Sequence, residues 1–147
     1  MKALLEFVVG YLQVLYLNPA YRFTDSSSRG IADIDASITL SSESLRWDIT
    51  NDRGLVEMIL TPLRYPSEEN HFWLSLLRQY LEGGDDSTQG SAVELAAWLT
   101  VNLARIEQLF TDPANAPRVC EELVQLRLAN ARKNWGWPPQ SAQNSDS

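Results

Sequence analysis

The fold of this chain is decided by the stretch IDASITL at residues 34–40 and the stretch LRWDIT at residues 45–50. Apolar and polar residues alternate strictly in both, and a period of two over six or seven residues predicts a half-buried β-strand. Two further strands are predicted at residues 21–25 and 55–61, and together the four form an antiparallel meander with one buried face. The predicted lining of that face is Ile34, Ala36, Ile38, Leu40, Leu45, Trp47 and Ile49.

Polar breaks separate the predicted strands. Residues 26–30 read SSSRG and are predicted to form a loop, and residues 41–44 separate the second strand from the third. Residues 51–54 read NDRG, which predicts a compact turn because Gly54 can adopt a positive φ. Pro62 limits the last strand of the meander.

Apolar residues recur at helical spacing on either side of the predicted strands. A largely apolar helix is predicted at residues 3–17, and further helices are predicted at 71–81, 91–110 and 117–134. The order of helix, strands and helices predicts an α+β fold. We expect an N-terminal helix, an antiparallel three- to four-stranded β-meander, and three C-terminal helices packed on one face of the sheet.

Capping residues mark the ends of these helices. Pro19 ends the first helix because the residue before a proline avoids the α region. Gly83 is a predicted C-cap for the helix at 71–81. Ser91 and Glu94 form a capping box at the start of the next helix.

The apolar run at residues 3–17 also has an interpretation as a secretory signal sequence. Glu6 and Gln13 interrupt the run, and Asn18-Pro19 stands where a cleavage site needs small residues. The run has about 15 residues, fewer than the roughly 20 that span a bilayer. We therefore favour a helix of the fold and expect no membrane contact.

Length and composition predict one domain. The chain has 147 residues, of which 44% are hydrophobic and 21% are charged. A chain of this size buries enough surface to fold without a metal or a disulfide. We expect a single α+β domain at residues 1–139, followed by a disordered polar tail at residues 140–147.

The net charge and the cysteine content restrict the classes of partner and the cellular compartment that we expect. There are 19 acidic and 12 basic residues, which gives a net charge of −7. Nucleic-acid binding rests on Lys and Arg neutralising phosphates, so we expect no nucleic acid as a partner. Cys120 is the single cysteine and cannot form an internal disulfide. A free thiol fits a reducing compartment, and we expect a cytoplasmic protein.

The sequence lacks the residues that most kinds of catalytic site require. His71 is the only histidine and Cys120 is the only cysteine, whereas zinc and iron sites take several such ligands. No Gly-x-Ser-x-Gly elbow accompanies His71, and no glycine-rich phosphate-binding string occurs. We therefore predict no metal, no cofactor and no enzymatic activity. Paired carboxylates leave an acid–base enzyme open as an alternative.

Acidic residues are concentrated in the middle of the chain. Residues 66–112 hold eight acidic and two basic residues. An acidic cluster of this kind can steer a basic partner, and it also serves solubility.

Aromatic residues offer candidate anchors. Phe72 and Trp73 are adjacent, so both cannot face inward from a helix. Trp135 lies just after the last predicted helix and Trp137 lies two residues further on, and one of them is a candidate exposed anchor. Two further tryptophans, Trp47 and Trp98, are predicted to belong to the core.

Three strings of the sequence resemble a known group of proteins. They are LRWDITNDRG at residues 45–54, FWLSLLRQYLEG at residues 72–83 and LARIEQLF at residues 103–110. Together they are similar to small bacterial immunity-type proteins of polymorphic-toxin loci, over most of residues 3–134. The resemblance implies an intracellular, non-enzymatic protein that binds and blocks a cognate toxin. It carries no catalytic motif and transfers no site residue.

The acidic segment provides the predicted binding surface. An acidic domain without catalytic residues suits the surface of a basic toxin or enzyme such as a nuclease, where its carboxylates take the place of phosphates. We expect a protein as the partner, and a chain that is a monomer or a homodimer. The predicted surface comprises Glu68, Glu69, Trp73, Glu82, Asp85 and Asp86, and Arg53 at the hairpin tip is a further candidate.

Two other classes of function remain open at this point. A structural or adaptor subunit of a larger assembly would carry its exposed aromatic residues on a flat apolar patch and would oligomerise. A small enzyme that uses only carboxylates, arginines and tyrosines would hold a carboxylate of raised pKa in a pocket.

Overall fold

The computed structural model describes residues 1–29 and 35–135, and it has the α+β architecture that the sequence predicts. The N-terminal helices are α1 (Lys2–Tyr11) and α2 (Gln13–Tyr16). The strands are β1 (Arg22–Arg29), β2 (Asp35–Ser41), β3 (Leu45–Asp52), β4 (Leu55–Pro62) and β5 (Phe72–Trp73). The C-terminal helices are α3 (Leu74–Glu82), α4 (Ala92–Thr111) and α5 (Ala116–Trp135), with a 3₁₀ turn (Asp86–Thr88) between α3 and α4.

The five strands form one antiparallel sheet in the order β1-β2-β3-β4-β5. The strand count is one higher than predicted because residues 72–73, predicted as helix, pair with Leu60 and Ile59 of β4. The first strand is also longer than predicted, since the serine-rich segment after residue 25 pairs with β2 instead of forming a loop. Hydroxyl contacts support that pairing, including Ser27 Oγ to Ser37 Oγ at 2.7 Å.

One face of the sheet is buried beneath the helices. A row of four apolar residues, each 0% exposed, crosses four neighbouring strands side by side. The row consists of Leu40, Trp47, Leu60 and Phe72. The predicted lining from residue 36 to residue 49 is buried as expected, whereas Ile34 lies outside the described residues. Helix α1 packs against the row at β2 and β3, and α4 packs against it at β4, where the ring of Phe110 stacks 6.1 Å from that of Phe72. Burial of apolar surface is the main favourable term for folding, and this row contributes to it.

The N-terminal helix is interrupted, which the sequence pattern did not predict. Leu12 has φ −116° and ψ 36°, so α1 ends before it and α2 begins after it. The side chain of Gln13 donates to the carbonyl oxygens of Val9 and Gly10, both at 3.0 Å, and satisfies acceptors that the break frees. The break leaves both Leu12 and Leu15 fully buried. No helix of the described part of the chain is both long and apolar enough to cross a membrane.

The predicted turn at residues 51–54 is confirmed. Arg53 and Gly54 are its two central residues, with φ of 55° and 90°. Positive φ at both positions is what a two-residue type I′ hairpin needs. The side-chain oxygen of Asn51 accepts a hydrogen bond from the N–H of Gly54 at 2.9 Å, which closes the turn.

The C-terminal helices begin and end close to the predicted residues. Ser91 caps α4 by accepting from the N–H of Glu94 at 3.2 Å, and Gly83 ends α3 with φ 83°. Trp98, predicted as core, is only partly buried because its indole N–H reaches the Glu82 carboxylate at 3.3 Å. The predicted tail at 140–147 and Trp137 lie outside the described residues.

Candidate functional site

The candidate site is organised by a polar stripe on α5. The stripe consists of Arg127, Asn130, Lys133 and Asn134, whose spacing of three and four residues places them on one helix face. Each of the four contacts a different part of the segment from residue 69 to residue 86. Helix α5 therefore holds β5, α3 and both flanking loops in place.

Arg127 fixes the chain before and within β5. Its Nη1 donates to the carbonyl oxygen of His71 at 2.6 Å, and its Nη2 donates to that of Glu69 at 2.8 Å. The guanidinium carbon lies 5.8 Å from the centre of the Phe72 ring. Charge-assisted hydrogen bonds and a cation–π contact combine here, so one side chain restrains the chain from residue 69 to residue 72.

The segment from residue 65 to residue 71, named here the acidic loop, is also held by its own hydrogen bonds. The Asn70 side chain donates to the Tyr65 carbonyl oxygen at 2.9 Å, and the Asn70 N–H donates to that of Ser67 at 3.1 Å. By contrast, the carboxylates of Glu68 and Glu69 are exposed and have no hydrogen-bond or ion-pair partner among the described residues. The loop thus presents two uncompensated charges on a restrained backbone.

Gln79 and Asn130 join α3 to α5. Their amides exchange two hydrogen bonds, of 3.1 Å and 2.7 Å, and Gln79 is only 8% exposed. Gln79 Nε2 also donates to the carbonyl oxygen of Gly84 at 3.1 Å. A buried amide of this kind is stable only when it is hydrogen-bonded, so this pair fixes the register of the two helices.

Acidic residues at the end of α3 are paired within the chain. Asp85 forms an ion pair with Lys133, and the Asp85 hydrogen bond and charge raise the pKa of that ammonium group. Asp86 accepts a hydrogen bond from Asn134. Glu82 accepts from Arg105 at 2.9 Å. Three members of the predicted acidic surface therefore stabilise the fold locally.

A cavity of about 430 Å³ lies between β5, the start of α3 and α5. It brings together Trp73 and Asp86 of the predicted surface, and all members of the α5 stripe except Lys133 line it as well. Ser75, His71 and Asp86 all line it, yet no hydrogen bond joins any two of these three described residues. A nucleophile activated by a base needs such contacts, so these three residues do not form an assembled catalytic triad.

The remaining predicted residues lie elsewhere. Glu69 lines a separate groove of about 480 Å³, together with Tyr65 and Glu121. Arg53 is exposed at the β3–β4 turn, six residues from the Ile59 that pairs with Trp73. That separation is roughly 20 Å along the strand. Arg53 is therefore remote from the acidic loop.

Three titratable groups away from the cavity have pKa values that burial raises. Burial raises the pKa of Glu107 on α4, and the nearby Tyr21 hydroxyl partly opposes that shift. Burial raises the pKa of Tyr21 to about 12. The Cys120 thiol is 4% exposed and burial raises its pKa, which fits an unreactive packed residue. In the described part of the chain, His, Cys, Asp and Glu form no group that fits a metal ion.

The α5 stripe is the functional feature that sequence reasoning missed. Its residues follow Val119 and Leu123 at helical spacing, so the stripe continues the inner face of α5 with polar side chains. Nothing in the sequence indicated that this face contacts backbone carbonyls some 56 residues earlier.

Comparison with known proteins does not assign the chain to a family. No protein-family model matches it, and no curated protein or solved structure matches it significantly. A proposal for its function therefore rests on geometry and charge.

Proposed function

We propose that this chain is a non-enzymatic protein-binding module that binds a basic partner through the acidic loop and the neighbouring Trp73. The observation that supports the proposal is the contrast within that loop. Its backbone is held by Arg127 and Asn70, while the carboxylates of Glu68 and Glu69 have no partner in the described part of the chain. A loop whose backbone is restrained before binding loses less conformational entropy on association than a mobile loop does.

The chemistry of such a surface favours a cationic partner. With a net charge of −7, the chain attracts a basic protein over long range, and the two loop carboxylates then pair with Lys or Arg. Trp73 is 52% exposed beside the loop and supplies the apolar area that binding hot spots use. An immunity-type role fits these features, because carboxylates can occupy the phosphate subsites of a nuclease toxin.

The paired acids have a different role in this proposal. Glu82 and Asp85 are neutralised by Arg105 and Lys133, so they contribute little field to an approaching partner. We assign them to positioning α3 against α4 and α5. Direct contacts are assigned to Glu68, Glu69 and Trp73.

The test is affinity capture from the source cell with three forms of the tagged chain. The first is the wild type, the second is Glu68→Gln with Glu69→Gln, and the third is Glu6→Gln with Glu43→Gln. The control changes the net charge equally at two exposed sites outside the loop. We expect one stoichiometric basic protein with the wild type and the control, and its loss with the loop variant. Equal capture by all three forms, or capture by none, contradicts the proposal.

A further inference from the structure

Strand β4 is paired along only part of its second edge. It runs from Leu55 to Pro62 beside β3, but β5 pairs with Ile59 and Leu60 alone. The chain turns into α3 at Leu74, which prevents β5 from continuing along β4. Residues 55–57 therefore have a strand neighbour on one side only within the described chain.

The hydrogen-bonding direction along β4 follows from its pairing. The N–H of Leu63 donates to the carbonyl oxygen of Ser44 at 2.8 Å, so odd-numbered residues direct their backbone groups toward β3. Hydrogen-bonded and non-hydrogen-bonded pairs alternate in an antiparallel ladder. Val56 consequently directs its N–H and its C=O to the open side. A strand edge with this arrangement can accept one further strand.

Side chains around this edge are apolar and acidic. A notch of about 70 Å³ adjoins it and is lined mainly by apolar residues, which include Val56, Met58 and Leu95, together with Glu57 and Ser75. Leu55 is 60% exposed on the opposite face of the sheet. Glu57 shares that face, and its carboxylate has no partner among the described residues. An incoming strand thus meets an apolar notch on one face and a negative charge on the other.

We propose that the open edge of β4 at residues 55–57 takes an extended, antiparallel strand of the basic partner. The proposed strand exchanges two backbone hydrogen bonds with Val56. It places a basic side chain opposite Glu57, an apolar side chain in the notch and a second apolar side chain opposite Leu55. The alternation of the two faces along a strand dictates this basic–apolar–apolar order.

Position and charge favour the same partner as the acidic loop. Trp73 pairs with Ile59 two residues beyond Glu57, and it lines both the notch and the cavity beside the loop. The two surfaces are therefore continuous at Trp73, and both carry unpaired carboxylates. This inference rests on the proposed function, because it assigns the edge to the partner that the acidic loop recruits.

The first test is amide hydrogen exchange of the full chain with a synthetic peptide. The probe peptide has a Lys-Val-Leu core flanked by threonines, and the control peptide has Glu in place of Lys. In the free protein we expect the Val56 amide to exchange much faster than the amide of Glu57. When the probe peptide is saturating, we expect hydrogen exchange of the Val56 amide to slow by about tenfold or more. An amide that is equally protected with and without the probe overturns the proposal.

A charge swap tests the assigned register. Glu57→Lys is expected to weaken binding of the Lys peptide by about fivefold and to strengthen binding of the Glu peptide by a similar factor. Glu43→Lys is the matched control, since it makes the same charge change in the exposed β2–β3 turn. Equal effects of the two substitutions contradict the register. Hydrogen exchange of the Val56 amide could instead slow as the protein concentration rises, without any peptide. That result would identify a second copy of this chain as the occupant and overturn the proposal.

Val56→Pro separates this inference from the proposed function. Proline removes the N–H on the open side and leaves the β3 ladder intact, and thermal unfolding verifies that the variant is folded. We expect the captured partner to bind this variant at least about fivefold more weakly. If partner binding is unchanged here but lost in the Glu68→Gln, Glu69→Gln variant, the strand inference fails and the proposed function stands. If neither change affects binding, both fail.

Discussion

The Nη1 atom of Arg127 lies 2.6 Å from the carbonyl oxygen of His71, and its Nη2 atom lies 2.8 Å from that of Glu69. One side chain of the last helix thus holds the backbone on both sides of Asn70 in the acidic loop. The two carboxylates of the loop remain exposed on the solvent side. The order of the proposed binding surface therefore depends on a helix that supplies none of its unpaired charge.

Arg127→Ala should destabilise the fold and loosen the acidic loop. The substitution removes two charge-assisted hydrogen bonds and a cation–π contact, which predicts a loss of about 2 kcal/mol in the free energy of unfolding. Urea denaturation measures the loss. Arg127→Lys should recover only part of it, because an ammonium group cannot fork to two carbonyls.

Arg132→Ala is the matched control for Arg127. Arg132 is exposed near the end of the same helix, and its side chain has no partner among the residues described. We expect a change within about 0.5 kcal/mol. Similar losses for the two alanine variants would show that Arg127 does not fix the loop.

The amides of Gln79 and Asn130 should be energetically coupled. Each single substitution, Gln79→Met or Asn130→Leu, leaves the partner amide unsatisfied at a buried site and is expected to cost about 1–3 kcal/mol. The double variant should cost less than the sum, since it leaves no orphaned amide. A double-mutant cycle in urea should give a coupling energy of about 1 kcal/mol. Additive losses would contradict the reciprocal pairing.

The pKa of Glu107 predicts a specific dependence of stability on pH. Burial raises this pKa above its ordinary value of 4.5, so the folded state binds the proton more tightly than the unfolded state does. The contribution of Glu107 to stability is therefore full below that ordinary value and is lost as the pH rises through the folded pKa. Glu107→Gln should be more stable than the wild type at pH 7.

The measurement for Glu107 is a series of urea titrations across acidic and neutral pH. The gain from Glu107→Gln should vanish at the acidic end, where both states of the wild type are protonated. Glu43→Gln, at an exposed turn, serves as the control and should show no comparable gain. A gain that is constant with pH would mean that burial of the Glu107 charge is not its cause.

Two glycines should respond to alanine in opposite directions. A Cβ at Gly10 or at Gly83 would meet no atom within 4 Å, so neither substitution creates a clash. Gly10 lies within α1, where alanine is expected to add about 0.5–1 kcal/mol of stability. Gly83 has φ 83°, where alanine is expected to remove about 1 kcal/mol. Thermal unfolding compares them, and a change of the same sign for both would contradict the assigned backbone conformations.

The sequence predicts the sheet well because its signal is local. Strict alternation at residues 34–40 and 45–50 predicts β2 and β3 to within one or two residues, and Gly54 marks the turn after β3. The errors lie where pairing at a distance overrides local propensity. Residues 26–29 are serine-rich and form strand because β2 pairs with them, and Phe72 leaves the predicted helix to pair with Leu60.

The candidate site was predictable only in part for the same reason. Composition located the acidic segment, but it could not separate Glu68 and Glu69 from the acids that have partners. Asp85 is neutralised by Lys133, which lies 48 residues away in sequence. Whether a carboxylate is free or paired is decided by packing between helices, which periodicity does not encode.

The most direct test of the central claim is the salt dependence of binding between the purified chain and its captured partner. Isothermal calorimetry should show the wild-type affinity falling by about tenfold or more between roughly 0.05 M and 0.5 M salt, because pairing of exposed charges is screened. Glu68→Gln with Glu69→Gln should bind more weakly at low salt and with a smaller salt dependence. The same affinity and the same salt dependence in both forms would contradict recognition through the acidic loop.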